Sequence, residues 1–585
     1  FAADTRGGAI LITLRRRRDG GMDGNLQFST VQSNRIAGYT PSGRIGIRIG
    51  RWTLTASGSG SFTPVAESRF TETREQAGQP LPFAGRSDSK SRTNYGRGHF
   101  SAVFDPTPKH TAGFDIEYTE RSTHMPTLSR TTLGQTQSDS RYRQHMGGNT
   151  LTATANYIWK IDTLGSQFKL IADYTRYTSH GDNSYHTTTC APGTLRDSLY
   201  ESATGSVYDI LTADAGLTRK LPHGLTLRAG LRYTRNGMAD DSRYAAQTQG
   251  TWLALPEYSY DQHYTEQIGA AYASLEYSAG RWELSAGLRG EYTSVASQTL
   301  DRSYFGLFPN VSVSRALNAL RTWLLVAQWS RNIERPAFPA LNPARIRISD
   351  YSWQSGNPSL RPTYIHRFSL TAVWKYRYTL TVGGNLHHDL IREIAHREAT
   401  DPDAVYIRPE NHYTENHWFV AASVPAKITR WWNLSVNAVG VMQRIRLNST
   451  DSPATHYLMF ADATCSFTLP AGFFAEAVYR AQSRLYSGNS EVGPRHTLSA
   501  TVKKQLFGKR LTLFCTLSNI TGCDWEFASL TDGMRRTIDT RQAWSGRLWK
   551  VGAAWNFRTG NKFRARTVES AAETQRKRLV KSTEQ

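Results

Sequence analysis

The feature that most constrains this chain is a two-residue rhythm of apolar and polar side chains, carried in segments of about ten residues. Ala112, Phe114, Ile116 and Tyr118 alternate with Gly113, Asp115, Glu117 and Thr119. Trp282, Leu284, Ala286 and Leu288 alternate with Glu283, Ser285, Gly287 and Arg289. Near the end, Trp549, Val551, Ala553, Trp555 and Phe557 alternate with Lys550, Gly552, Ala554 and Asn556. Successive side chains of a strand point to opposite faces, so each segment reads as a strand with one apolar and one polar side. A water-soluble sandwich alternates too, but it seldom sets Trp or Tyr at the tip of so many strands.

The connections decide between these two. Short turns fall at 50–51, 105–109, 162–166, 221–224, 278–281, 316–320, 375–377, 426–430, 470–472 and 507–509. Between them lie longer polar stretches, among them 63–93, 122–148, 179–205, 237–262, 333–363, 391–411 and 521–543. Ten turns, with one further strand at each end of the chain, give about 22 strands. An even count with both ends on the short-turn side is the plan of a single-chain outer-membrane barrel, with short periplasmic turns and long extracellular loops. In lipid an unpaired strand edge leaves backbone groups unsatisfied at several kcal/mol each, so the sheet has to close. The expected fold is all-β: a transmembrane antiparallel β-barrel of about 22 strands in the outer membrane, against its lipid bilayer and lipopolysaccharide. A barrel that wide is not filled by its own side chains and holds a plug or a channel.

Composition agrees. The longest apolar runs, such as Trp323-Leu324-Leu325-Val326-Ala327, fall far short of the roughly 18 residues of a spanning helix. Mean hydropathy is −0.50, yet aromatics reach 11%, which suits strands that show lipid only every second residue. Four cysteines are too few for a disulfide framework; Cys465 and Cys515 fall in phase with Ala463/Phe467 and Leu513/Leu517, as small lipid-facing residues. The net charge of +22 is spread over strands and loops, without the clustered face that nucleic acid requires. One concentration stands at the end: 558–585 carries eight Lys/Arg against three Glu, with no apolar periodicity. It reads as a disordered, basic periplasmic tail. The first residue is Phe1 and no signal peptide is visible, so the chain is expected to begin inside a longer precursor.

Catalytic signals are absent: there is no phosphate-cradling glycine loop and no nucleophile elbow, and the chain is read as neither an enzyme nor the holder of a cofactor. His180, His186 and Cys190 match no standard metal spacing, and His387, His388 and Asp389 suit hydrogen bonding at a loop rim. The candidate substrate contacts are aromatic: Trp252, Tyr258 and Tyr260 in one long loop, Tyr351 and Trp353 in another. Rings with hydrogen-bonding tips bind sugars, peptides and planar chelates, and they also anchor interfaces and pack loops. A polar set, Asp115, Glu117, Arg289, Glu291, Glu476, Arg480 and Gln482, is expected to face the lumen.

Residues 264–293, from Tyr264-Thr265-Glu266-Gln267-Ile268 to Gly287-Leu288-Arg289-Gly290-Glu291-Tyr292-Thr293, resemble the mid-barrel hairpin of TonB-dependent outer-membrane receptors. Phe308-Pro309-Asn310, Arg331-Asn332-Ile333-Glu334-Arg335-Pro336, Leu341-Asn342-Pro343 and Gly356-Asn357-Pro358-Ser359-Leu360-Arg361-Pro362 resemble, within those receptors, the outer-membrane β-barrel family common in Bacteroidetes. Thr5 to Arg15 is similar to the last strand of the plug that fills such barrels. The resemblance implies a remnant of that strand and a linker over 1–23, a barrel over 24–557 and the basic tail over 558–585. It implies active import of a bulky nutrient, a glycan, peptide or metal chelate, energised by TonB–ExbB–ExbD through the plug region. A surface lipoprotein is a further candidate partner. The other reading is a passive, porin-like or surface-binding barrel without energy coupling.

Overall fold

The computed structural model describes residues 20–298, 300–399, 401, 403–522, 524–560 and 568–579. Twenty-two antiparallel strands form a closed wall. Closure occurs where Gly21–Gln32 pairs with Trp549–Gly560, Gly21 opposite Gly560 and Gln32 opposite Trp549. No edge is left for lipid to desolvate. Seven further strands, three to eight residues long, belong to the long-loop end.

The alternation sorts the two faces. On Trp282–Ser297, Leu288 and Tyr292 point outward and are about half exposed, while Arg289, Glu291 and Thr293 are buried inside. Leu231 and Phe305 continue the outer band at 65% and 64% exposure. Such a surface is unfavourable in water and suits a hydrocarbon layer.

All ten short turns fall where the sequence places them. Two show why. The Asp162 carboxylate accepts the backbone N–H groups of Leu164, Gly165 and Ser166 at 2.9, 3.0 and 2.9 Å, closing a turn that would otherwise leave three donors bare. Gly224 has φ +75°, and a Cβ there would lie 2.3 Å from the Ser278 carbonyl oxygen, so only glycine fits.

The long polar stretches differ from expectation. Much of 63–93, 122–148 and 179–205 is wall rather than loop. Trp52–Gln76, Gln79–Phe104, His110–Leu133, Thr136–Lys160, Gln167–Ala191 and Thr194–Lys220 run for 24–27 residues to tight tips. Beyond the apolar band both faces meet polar surroundings. The alternation fades there while backbone pairing continues, so pattern alone reads these segments as loops.

The ends also differ. Residues 1–19, which hold the stretch similar to a plug strand, lie outside the described residues. The wall runs from Gly21 to Gly560, so 21–23 and 558–560 are strand, not linker or tail. Of the tail, 568–579 is folded, with a helical turn at Glu573–Arg576 and with Ala571, Ala572, Gln575 and Arg578 buried. A short segment needs no periodicity of its own when a wall supplies its partners. Cys465 and Cys515 are free thiols on wall strands, and Cys523 lies outside the described residues.

Candidate ligand-binding site

The connection 335–362 folds into the barrel instead of spreading over its rim. Its apolar side chains dictate this: Phe338, Leu341 and Leu360, exposed by 1%, 2% and 0%, pack against Tyr208, Ile210, Met238, Tyr264 and Val295 of the inner wall. Arg335 enters with them. Its guanidinium donates to Glu291 at 2.8 Å and to Thr293 at 3.0 Å, so the wall carboxylate and the loop cation each lose water in exchange for a partner. The two limbs of the loop hold each other: Gly356 N–H donates to Asn342 O at 2.9 Å and Asn357 N–H to Ala340 O at 2.7 Å. A Cβ on Gly356 would lie 2.1 Å from that Asn342 oxygen, which explains the glycine before Asn357-Pro358. Arg361 anchors the returning limb on Asp389 at 2.7 Å.

This fold aims a small hairpin, Ile346–Ser349 with Ser352–Gln354, at the tyrosines of the tall wall strands. The Arg347 guanidinium lies 5.5 to 5.9 Å from the rings of Trp353, Tyr200, Tyr142 and Tyr185. Arg345 lies 5.6 Å from Tyr258 and 5.7 Å from Trp353. The rings of Tyr258 and Trp353 stack with centroids 6.4 Å apart and 4° between planes. Each arginine has a carboxylate: Arg347 pairs with Asp350 at 2.7 Å and Arg345 with Glu398 at 2.5 Å. Asp350 also accepts from the hydroxyls of Ser140 and Tyr142, both at 2.7 Å, which fixes the hairpin to the wall.

A second ionic cluster braces the hairpin from the seam side. Arg536 donates to Glu72 at 2.8 Å and to Ser352 at 2.7 Å, and Arg74 donates to Glu72 at 2.8 Å. Burial works against the Glu72 charge, but Arg536 and Arg74 overcome it and hold the carboxyl below its ordinary value. Glu72 stands twenty residues up its strand from Trp52, well past the apolar band.

Three of the five aromatic candidates lie in or against this hairpin. Tyr258 and Trp353 touch. Tyr351 meets Phe83 edge-on at 5.9 Å, beside the Glu72 cluster, and Arg74 lies over the same Phe83 ring at 3.6 Å. Tyr260 begins the strand behind Tyr258, a residue that in turn lies 6.2 Å from Tyr244. Trp252 stands apart, 40% exposed on the short strand Thr251–Ala254. Missed by the sequence reading were Arg345, Arg347, Asp350 and the wall tyrosines Tyr142, Tyr185, Tyr200 and Tyr244. The Arg-Ile-Arg-Ile alternation at 345–348 was the available signal for a strand carrying two arginines on one face.

Three members of the polar set are placed as expected. Arg289 and Glu291 are buried in the lumen, and Asp115 lies 2.7 Å from His99 on the adjoining strand. His387 Nδ1 lies 2.7 Å from the Glu415 carbonyl oxygen, a rim hydrogen bond. Among the described residues no group of three or more His, Cys, Asp or Glu is arranged to hold a metal ion.

The model of the outer membrane protein beta-barrel family matches residues 159–555, more than half of the chain. Among solved structures the chain is similar to the siderophore receptor PirA from Pseudomonas aeruginosa, at 12% identity and TM-score 0.56 over 93% of this chain and 81% of that one. It is similar to the copper transporter OprC at 12% identity and TM-score 0.60, again over 93% and 81%. A mutant ferric enterobactin receptor from Pseudomonas aeruginosa, in complex with enterobactin, matches at 13% and 0.57 over 93% and 82%. Identities this low carry the fold and not the cargo. No curated protein matches the chain in sequence.

Proposed function

The chain belongs to the outer membrane protein beta-barrel family, and from that premise we propose that it is a TonB-dependent receptor importing a bulky nutrient. It spans the outer membrane as a closed barrel, with the long loops outside the cell. The observation that carries the reading is the inward-folded connection 335–362, which holds Arg345, Arg347 and Trp353 among wall tyrosines at the extracellular mouth.

Guanidinium planes stacked on aromatic rings line a surface for flat or ring-bearing ligands, and a ligand with anionic edges competes for the arginines now held by Asp350 and Glu398. Among glycan, peptide and metal chelate, a chelate with planar and anionic groups fits this lining best, and siderophores and copper are named for the fold neighbours. By resemblance, energy comes from TonB–ExbB–ExbD through a plug region. The passive-pore reading is the weaker one, because Phe338, Leu341 and Leu360 occupy lumen that an open channel would need.

Growth of a deletion strain tests this, with ferric chelates, oligosaccharides or peptides as the limiting nutrient and with TonB present or absent. The expected result is a defect on one chelate class, restored by the wild-type gene, not restored by the Arg345→Ala/Arg347→Ala double variant, and reproduced by loss of TonB. A defect confined to oligosaccharides would move the cargo assignment, and uptake independent of TonB would select the passive barrel.

A further inference from the structure

We propose that the periplasmic rim between Arg315 and Arg510 is a docking surface for the headgroups of anionic phospholipids in the inner leaflet of the outer membrane. This goes beyond the import reading, which assigns nothing to the rim.

Charge divides the ten short turns into two sets. The five later ones, taken with their flanks as 315–322, 374–378, 425–433, 468–474 and 503–511, carry ten Lys and Arg and no Asp or Glu. The five earlier ones, 48–52, 104–110, 160–166, 219–225 and 277–283, carry seven Lys and Arg against three acids. Among the described residues the one carboxylate paired with any of the ten later cations is Glu283, 4.0 Å from Arg321. Cations gathered in this way repel one another until an anion from outside the chain neutralises them.

The backbone makes the same division. A turn position with φ > 0 takes glycine at least cost. The earlier turns set Gly50, Gly165, Gly224 and Gly280 there, with His223 as the exception. The later turns set Arg321, Lys375, Tyr376, Phe507 and Lys509 there, at φ from +50° to +72°, beside Ala471, Gly472 and Gly508. Each of those five costs conformational energy that glycine would avoid, so the side chains are kept for what they reach.

Rings supply the other half of the surface. Lys375 Nζ lies 4.4 Å over Trp374, Lys504 Nζ 3.9 Å over Phe473, and the Arg315 guanidinium 4.7 Å over Trp282, all three rings being exposed on the lipid face. A ring holds a cation at the interface without using its N–H donors. Lys504 gives one of its three to the Ala471 carbonyl. At the turn tips Leu320, Tyr376 and Phe507 stand exposed. The occupant must therefore join an anionic head to an apolar tail, as an anionic phospholipid does. A soluble anion lacks the tail, and phosphatidylethanolamine brings a cation of its own.

Titration of the full-length protein in detergent with phosphatidylglycerol or with phosphatidylethanolamine of matched acyl chains, read by native mass spectrometry, tests this. Phosphatidylglycerol is expected to bind about tenfold more tightly. Lys375→Gln/Arg377→Gln/Lys504→Gln/Lys509→Gln should bring the two lipids within about twofold, while Arg51→Gln/Lys109→Gln/Arg219→Gln/Arg281→Gln in the earlier turns should keep the preference. The pair Lys375→Gln/Arg377→Gln alters a single turn and should lower the preference about threefold, so the test survives if the quadruple variant fails to close, as an unheated gel shift would show. An excess of inorganic phosphate should leave the lipid bound. Lys375→Gly/Lys509→Gly should lose part of the preference yet resist urea at least as well as wild type, because glycine relieves the left-handed positions. Equal affinity for the two lipids would overturn the proposal. So would a preference that the later-turn variants keep or the earlier-turn variant also loses, displacement by phosphate, or a glycine variant less stable than wild type.

Discussion

The barrel has a tall side and a short side. From Trp52 to Thr248 the wall strands run 24 to 27 residues; from Ala454 to the closing strand at Gly560 they run 8 to 15. Crossing the hydrocarbon takes only about ten tilted residues, so the extra length serves something other than the membrane. The interior shows what. The tall side buries Thr152, Thr154, Asp173, Thr175, Asn236 and Asp240 under the inward loop and the segment 568–579. From Ala454 to Ser518, by contrast, Gly493 alone is buried, and Asp462, Glu476 and Arg480 keep contact with solvent. Above the short side the hairpin Trp525–Thr531/Met534–Arg541 extends the rim by pairing with the top of Trp52–Gln76. Among the described residues the lumen is thus packed against one wall, while the inner face of the other keeps its polar side chains in contact with solvent.

The largest expected effect tests whether the packed side carries the interior's stability. Arg335→Ala removes one of the two guanidiniums on Glu291 and one of the two on Glu266, with the donor to Thr293, and leaves a buried site empty; it should lower unfolding stability by about 3 kcal/mol, as truncation of a large buried side chain does. Arg480→Ala on the open side should stay within about 0.5 kcal/mol. Urea titration of both variants in detergent measures the difference, and equal midpoints would abolish the contrast between the walls.

What the sequence made legible follows the same division. Strand number, closure and the ten turns were readable because lipid imposes a strict period and turns need particular residues, such as Gly224 or the three-donor Asp162. Above the apolar band that constraint lapses. Tyr142, Tyr185 and Tyr200 stand in polar stretches with no period to mark them as wall, so their convergence on Arg347 was hidden. The residues around Arg335 and Gly356 carry a family resemblance, yet their inward course depends on Phe338, Leu341 and Leu360 meeting five residues from distant strands. Tyr258 and Trp353 read as rings in two separate loops; that they stack on each other is a fact of topology. The course of 568–579 is not legible in its own pattern, because its partners, Asp173, Asn236 and Glu266, belong to the wall.

A second, smaller effect sharpens the comparison through pH. Asp240 stands fifteen residues above Leu225 on the tall side, past the apolar band, where burial pushes its carboxyl up from an ordinary 3.8 to about 6. A raised acid binds its proton more tightly when folded, so its favourable contribution is complete below about 4 and is lost as pH rises through 6. Asp240→Asn keeps an acceptor for the Tyr208 hydroxyl, 3.1 Å away, and carries no charge. It should therefore be more stable than wild type by about 2 kcal/mol at pH 8, with the gain gone by pH 4. A gain independent of pH would mean that the carboxylate is reached by water and that the tall side is less sealed than its burial indicates.

The smallest effect separates rings that form a site from rings that merely stand at the mouth. Trp353 lies against Tyr258, Arg345 and Arg347 together, so Trp353→Ala breaks one ring stack and two cation–π contacts. With the chelate class identified by growth, its dissociation constant should rise about tenfold, roughly 1.4 kcal/mol. Trp252→Ala removes a ring of equal size from the neighbouring loop, with none of those partners, and should change the constant less than about twofold. Equal losses in the two variants would show that ring area at the mouth is what binds and that the loop's inward fold plays no part in recognition. The Tyr258→Ala/Trp353→Ala pair distinguishes further: rings that act as one stacked surface lose less together than the sum of their separate losses, whereas independent contacts add.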